Sequence, residues 1–169
     1  MKESTFDAIA AGFFRAATGA ITWDAALAPV QLGFGARVAV LHTMQSSTGR
    51  LLALRYAGPG AHEAVFDYVR EYHAIDPRKQ RVVERGVEGI GQWNHDHDEI
   101  APQRGAHSRY HRDFLPAYRC RNHSNVPFMI GPDVVCGLAL ELDSLRGPLD
   151  ADERELARRL VHRFTKSFT

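Results

Sequence analysis

Histidines crowd the middle of the chain, and imidazoles are the side chains best suited to chemistry near neutral pH. Two of them lie among three carboxylates in residues 94–99, and two more lie four residues apart on one face of a predicted helix. Imidazoles at that spacing, with a carboxylate, can chelate zinc or another transition metal. The metal-binding candidates are His95, His97, His107 and His111. The zinc-protease motif requires glutamate after its first histidine, and Ser108 stands there, so a polar loop with no metal or cofactor is the simpler interpretation.

Asp76 precedes Pro77 at the end of a predicted helix, and it is the charged residue that best fits a binding pocket. A buried carboxylate must be paired or hydrogen-bonded. Two interpretations stay open: Asp76 accepts backbone N–H groups of the turn at Pro77, or it contacts a ligand. Small-molecule pockets are mostly apolar with a few placed polar groups, so large aromatic side chains are the other candidates, with the core as their alternative place. The candidate ligand-binding residues are Asp76, Trp93, Tyr72, Tyr110, Phe114 and Phe128.

Catalytic motifs are sparse. Two cysteines, Cys120 and Cys136, are too few for a disulfide framework or a thiolate zinc site. If Val126–Ile130 and Val134–Leu142 pair as two strands of a hairpin, Cys136 lies near Phe128 and not near Cys120. We therefore expect both cysteines to be small buried hydrophobes. The chain has no Gly-x-Ser-x-Gly motif, and Gly86–Gly91 lacks the Lys-Ser/Thr end of a phosphate-binding loop. His123 is close to Cys120 in sequence, but a nucleophile–base pair is defined in space, and we expect no enzyme.

Helices must position these residues, and apolar residues at helical spacing predict several. They cover residues 6–17, a segment from Trp23 that Pro29 should kink or end, residues 62–73, and residues 108–115. In the third helix we expect Val65, Phe66 and Val69 to be buried. A capping box formed by Asp150 and Glu153 opens the last helix.

Apolar runs around polar turns predict two β-hairpins. Val38–Thr43 pairs with Leu51–Tyr56, and Val126–Ile130 pairs with Val134–Leu142. A fifth, short strand is expected at Gly89–Trp93. Hairpin strands are antiparallel, and helices must cover the faces of such a sheet. The predicted fold class is therefore α/β, with a central antiparallel five-stranded sheet flanked by helices.

Composition limits the function classes. The 169 residues are 44% hydrophobic, which suits one domain over residues 1–169 with a real core. Lys and Arg number 21 against 20 Asp and Glu, so the overall charge does not point to a polyanionic partner. There is no apolar stretch of membrane-spanning length and no secretion signal, so we expect a cytoplasmic protein with no membrane partner.

Five segments carry a resemblance to a known family. They are Phe13–Ala17 with Trp23, Thr48–Leu51, Tyr68–Arg78, Tyr110–Leu115, and Leu149–Glu153. Together they cover nearly the whole chain and resemble the N-terminal sensor domains of LuxR-type bacterial transcription regulators. The resemblance implies a PAS/GAF-like sandwich, a small-molecule effector and a homodimer.

The autoinducer-binding members of that family also suggest roles for single residues. Asp76 falls on the family's acid and Trp93 roughly on its later tryptophan, which implies that Asp76 accepts a ligand N–H and Trp93 donates to a ligand carbonyl. Glu63 and Asp67 stand where the acyl-homoserine-lactone branch has Trp and Tyr, so we expect a different small molecule or none. Such regulators continue into a helix-turn-helix domain, whereas this sequence ends at Thr169, so we expect contact with DNA only through a domain absent here.

Three functions therefore stay open. The first is a sensor domain whose ligand acts on a dimer or on a DNA-binding domain; the second is a ligand-free dimerisation or interaction module; the third is a histidine-based metal-dependent enzyme. An enclosed cavity beside Asp76 and Trp93 would favour the first. A solid core with a large apolar helix interface would favour the second, and stoichiometric zinc the third.

Overall fold

The computed structural model describes residues 3–99 and 108–167. Helices α1 (Glu3–Ala17) and α2 (Trp23–Gly33) come first, and the Thr22 hydroxyl caps α2 by accepting from the Ala25 N–H at 3.2 Å. Pro29 lies inside α2, so of the two expected effects, a kink or an end, the helix does not show the end. Proline removes one backbone hydrogen bond from a helix interior, and the burial of Leu27 and Val30 offsets that loss.

A five-stranded antiparallel sheet follows, with strand order β2-β1-β5-β4-β3. The strands are β1 (Ala36–Gln45), β2 (Leu51–Ala57), β3 (Asn94–His95), β4 (Cys120–Gly131) and β5 (Val134–Asp143). This arrangement confirms the predicted fold class and both hairpins. The short edge strand lies at Asn94–His95 and not at Gly89–Trp93, because Gly89 closes a 3₁₀ turn and Gly91 adopts a positive φ of 78°.

Short helical segments connect the two hairpins, and a longer helix follows the second hairpin. They are α3 (Ala61–Asp67), a π-helical turn (Tyr68–Tyr72), a 3₁₀ turn (His73–Ile75), α4 (Pro77–Arg85), a 3₁₀ turn (Gly86–Gly89), α5 (Asp96–Glu99), a second π-helical turn (Tyr110–Phe114), α6 (Leu115–Ala117) and α7 (Ala151–Ser167). The capping box is formed, since the Glu153 N–H donates to Asp150 and the Asp150 N–H donates to Glu153. None of the described helices is both long enough and apolar enough to cross a membrane.

The buried face of α3 differs from the prediction. Phe66 and Val69 are 59% and 51% exposed, whereas Ala61 and Ala64 are buried. Two apolar stripes overlap in this segment, and the stripe with small residues faces the sheet because it permits close approach. The same rotation turns Tyr68 inward.

The two faces of the sheet serve different purposes. On one face, alternate residues such as Leu41, Leu138 and Leu140 form the main core with side chains of α1, α2 and α7. On the other face, the helical segments between Ala61 and Ala117 cover the sheet and hold a smaller cluster around Tyr110 and Phe114. The main core supports the fold, and the second face leaves room for a site.

Asp133 joins the tips of the two hairpins. Its carboxylate accepts hydrogen bonds from Gln45 Nε2 at 2.7 Å, Ser46 Oγ at 2.8 Å and the Ser47 N–H at 3.0 Å. These donors lower the pKa of Asp133 to about 2. The β1–β2 turn and the β4–β5 turn are therefore tied to one side chain.

We expect Leu140→Ala to lower the free energy of unfolding by about 2–5 kcal/mol, because Leu140 is fully buried in the main core. Leu145→Ala is the matched control, since Leu145 is 87% exposed and its change should stay within about 0.5 kcal/mol. Urea unfolding measures both. Equal effects of the two variants would contradict the assignment of the main core.

Candidate functional site

A cavity of about 100 Å³ lies between the second face of the sheet and the helical segments. Alternate residues of β1 and β5 form its floor, among them Val40, His42 and Glu141. Tyr68, Tyr110 and Phe114 come from the two π-helical turns and form the opposite wall. A neighbouring hollow of about 210 Å³ shares Met44 and Val82 with the cavity.

Asp76 lies at the cavity and caps α4. Its carboxylate accepts from the Arg78 N–H at 2.9 Å, from Arg78 Nε at 3.0 Å, from Arg78 Nη2 at 3.0 Å and from the Tyr68 hydroxyl at 2.9 Å. Burial alone would raise the pKa of Asp76, but the Arg78 guanidinium and these hydrogen bonds outweigh it and keep the pKa below its usual range. Asp76 thus braces the turn at Pro77, as the first interpretation of this residue predicts.

Arg78 connects the helical layer to the sheet. Its side chain is 6% exposed, and its Nη1 donates to Glu141 Oε1 at 3.0 Å while Nη2 donates to the Tyr110 hydroxyl. The guanidinium also lies over the Tyr110 ring, 4.4 Å from its centroid. Burial alone would raise the pKa of Glu141, but the charges of Arg78 and His123 lower it to about 2. An ionised Asp76–Arg78–Glu141 network therefore forms one end of the cavity.

His42 stands at the centre of the floor. It lies on β1 opposite Gly137 of β5, and a Cβ at Gly137 would come within 2.3 Å of His42 Nε2. The glycine is required because the imidazole lies directly over it. Burial first, then the charges of His123 and Arg78, lower the pKa of His42 to about 4. The imidazole is neutral at pH 7.

The predicted aromatic wall is present in part. Tyr110 and Phe114 are buried beside the cavity with ring centroids 5.2 Å apart, and Tyr68 packs against both at 6.2 Å and 5.8 Å. Tyr72 lies behind Phe114 at 4.9 Å, is partly exposed and does not line the cavity. The wall encloses space and is not packed shut against the sheet.

Two predicted residues lie elsewhere. Phe128 pairs with Cys136 on the face of the sheet that carries the main core, because alternate strand residues point to opposite faces. Trp93 packs against the main core and lies parallel to the ring of His95, and its buried Nε1 has no hydrogen-bond partner in the part of the chain that the structure describes. Neither residue lines the cavity beside Asp76, so the structure corrects that grouping.

The candidate metal residues are not gathered in the described part of the chain. His95 Nδ1 lies 2.8 Å from Ser124 Oγ, His97 is exposed, and both ring nitrogens of His111 are buried with no hydrogen-bond partner among the described residues. Within residues 3–99 and 108–167, no three His, Cys, Asp or Glu side chains are placed to hold a metal ion. His107 lies outside the described residues.

The cysteines form no catalytic pair in the described residues. Cys120 Sγ donates to the Tyr118 carbonyl at 3.5 Å, whereas His123 bonds to Glu141 at 2.7 Å. Both cysteines are buried and free, as predicted. Burial raises the pKa of Cys120 to about 12 and that of Cys136 to about 11, so neither forms a thiolate near pH 7.

Sequence reasoning missed Arg78, Glu141, His123 and His42 as site residues. One signal was present: Glu141 interrupts an otherwise apolar strand, and a charged residue in a covered strand must find a buried partner.

We expect the protein to lose stability in mild acid through His42. The pKa of His42 is about 6.5 in the unfolded chain and about 4 in the folded protein. Between these values the unfolded state binds more protons, so the free energy of unfolding should fall as the pH falls, by about 2 kcal/mol from pH 7.5 to pH 5. Glu141, with its pKa near 2, adds a further loss only below pH 4.5.

The check is urea unfolding of wild type and His42→Gln at both pH values. The wild type should lose more stability on acidification than the variant, which keeps only the smaller contributions of His73 and His111, whose pKa values burial also lowers. Comparing the variant with itself at pH 7.5 removes the cost of the packing change. An identical loss in both proteins would contradict the assignment.

Comparison with solved structures identifies the fold. The chain is similar to CepR2 from Burkholderia cenocepacia, described as an N-acylhomoserine-lactone-dependent LuxR family transcription factor, with a TM-score of 0.62 and 19% identity over 98% of this chain and 93% of that one. It is similar to the ligand-binding domain of VqsR from Pseudomonas aeruginosa, with a TM-score of 0.57 and 12% identity over 98% and 94%. For SdiA of Escherichia coli the TM-score is 0.54 and the identity 15%, over 82% of this chain and 57% of that one.

No protein-family model matches the sequence, and no curated protein is significantly similar to it. The identities to the solved structures are low, so the likeness is one of architecture. The chain has the fold of the autoinducer-binding domains of LuxR-type regulators.

Proposed function

We propose that this chain is a small-molecule-sensing regulatory domain that holds its ligand between the sheet and the helical layer. The observation that carries the proposal is the cavity itself: an apolar space with an ion-paired network at one end. Ligand sites have this composition, since apolar walls supply affinity and a few fixed polar groups supply orientation. The solved proteins of this fold include one described as N-acylhomoserine-lactone dependent.

The size of the cavity limits the ligand. At about 100 Å³ it is smaller than the roughly 300–1,000 Å³ of common ligand pockets. An engineered cavity of about 150 Å³ accepts benzene, so the head of the ligand is of that size or smaller. A longer molecule would extend past Met44 and Val82 into the neighbouring hollow.

A ligand other than an acyl-homoserine lactone fits the local residues better. At the two positions where the lactone-binding branch has Trp and Tyr, this chain has Glu63 and Asp67. Asp67 accepts from the Tyr118 hydroxyl and pairs with Arg70 at 3.2 Å, and neither carboxylate lines the cavity. The aromatic contacts of that branch have no counterpart at these positions.

The two π-helical turns offer a route from ligand to response. They contribute Tyr68, Tyr110 and Phe114 to the cavity, and π-helical turns are rare features that concentrate at functional sites. A ligand that binds one arrangement of these turns better than another shifts their population. We propose that this shift acts on a dimer partner or on a DNA-binding domain outside this chain.

A ligand-free interaction module is the second candidate, and one surface favours it. Exposed Phe66 and Val69 border an apolar groove with Tyr56 and Val65. An exposed apolar surface of this kind is typical of contact with another protein.

We expect protein purified from its own host to retain a small molecule that native mass spectrometry detects as added mass. Ala64→Leu fills the cavity from α3 and should lower the occupied fraction at least about tenfold, since the added carbons compete for the same space. Ala8→Leu is the control, because Ala8 is exposed on α1. A wild-type protein without added mass, sedimenting as a dimer that Phe66→Ser breaks, would instead support the interaction module.

A further inference from the structure

The polar groups around the cavity differ in how fully they are hydrogen-bonded. A carboxylate offers about four acceptor positions. Those of Asp76 are filled by the Tyr68 hydroxyl and by the backbone and side chain of Arg78. Tyr68 also bonds to His73, at 3.2 Å. Asp76 therefore has no position left for a ligand N–H, and its role is to hold Arg78.

A directed chain of hydrogen bonds engages the polar groups on the far side of the cavity. Arg85 can only donate, and it donates to Asn94 Oδ1, which fixes the orientation of that amide. Asn94 Nδ2 then donates to Asn125 Oδ1 at 3.0 Å, and Asn125 Nδ2 donates to His123 Nε2 at 2.9 Å. His123 Nδ1–H donates in turn to Glu141 at 2.7 Å. Both ring nitrogens of His123 are thus engaged.

His42 is the exception among the uncharged polar side chains that line the cavity. It lines the cavity, and no described residue forms a hydrogen bond with it. A neutral imidazole has one N–H donor and one acceptor nitrogen. The remaining oxygen of Glu141 also lacks a partner among the described residues, but it is fully buried and out of a ligand's reach. Gly137 supplies the space in which the imidazole lies, so the sheet is built around this ring.

The charges on the wall balance. Asp76 and Glu141 are negative and Arg78 and Lys79 are positive, and these are the Asp, Glu, Lys and Arg side chains among the described residues that line the cavity. An ionised ligand would add an uncompensated charge to a buried space, which costs several kcal/mol. An uncharged ligand adds none.

We propose that His42 is the residue that hydrogen-bonds the ligand, and that the ligand is an uncharged molecule with a hydroxyl or carbonyl group on a small apolar body. This inference rests on the proposed sensing function, because it assumes that the cavity is occupied. It assigns specificity to a residue of β1 and to its glycine partner on β5. Asp76 then acts as a positioning residue.

Three isosteric probes test the proposal: cyclopentanol, methylcyclopentane and cyclopentylammonium. Long-range ¹H–¹⁵N NMR of the wild-type protein reports the imidazole nitrogens of His42 and gives the dissociation constants by titration at millimolar concentrations. Cyclopentanol should bind and move the His42 nitrogen shifts. Methylcyclopentane should bind at least about tenfold more weakly, because one hydrogen bond is lost. Cyclopentylammonium should not bind.

His42→Leu should abolish the preference for cyclopentanol over methylcyclopentane, and His62→Leu, which changes an exposed histidine outside the cavity, should retain it. If His42→Leu does not fold, the wild-type nitrogen shifts decide the question alone. Probe binding without a His42 response, or equal binding of the ammonium probe, would overturn the role of His42 and leave the sensing function standing. Failure of all three probes to bind would overturn both proposals.

Discussion

The burial of the Arg78 guanidinium is the constraint on which the cavity side of the molecule depends. A guanidinium cannot be buried alone, and this one is matched by Asp76 from the turn before α4, by Glu141 from β5 and by Tyr110 from the second π-helical turn. The turn before α4 and the second π-helical turn are therefore fixed relative to the sheet by one side chain. Loss of one partner from such a pair costs about 3–5 kcal/mol, because the remaining charge stays buried. The network also keeps long side chains at the edge of the cavity and prevents them from filling it.

The fold was predictable because its signals are local. The apolar run in β1 and the nearly apolar β5 indicate a sheet covered on both faces, and the turns at Gly49 and at Pro132-Asp133 set the hairpins. The errors occur where two local signals compete. Residues 61–69 carry two apolar stripes, and only packing against the sheet selects the one through Ala61 and Ala64.

The site was less predictable because its partners come from distant segments. Asp76 was found from its Asp-Pro context and from the family resemblance, whereas Arg78 was not, since its role exists only once Glu141 lies beside it. Phe128 was misplaced because composition identifies an aromatic residue but not the face of the sheet that it occupies. His42 and Gly137 are informative only as a pair, and that pair is defined by the register of two strands about 95 residues apart in sequence.

The hairpin tips held by Asp133 have a mechanical consequence. Because one carboxylate joins both turns, the two hairpins cannot slide or splay independently at that end. If the cavity binds a ligand as proposed, deformation on ligand entry would fall on the opposite wall of helical segments and not on the tied strands. The helical segments would then carry the proposed signal outward, with the strands as its fixed reference.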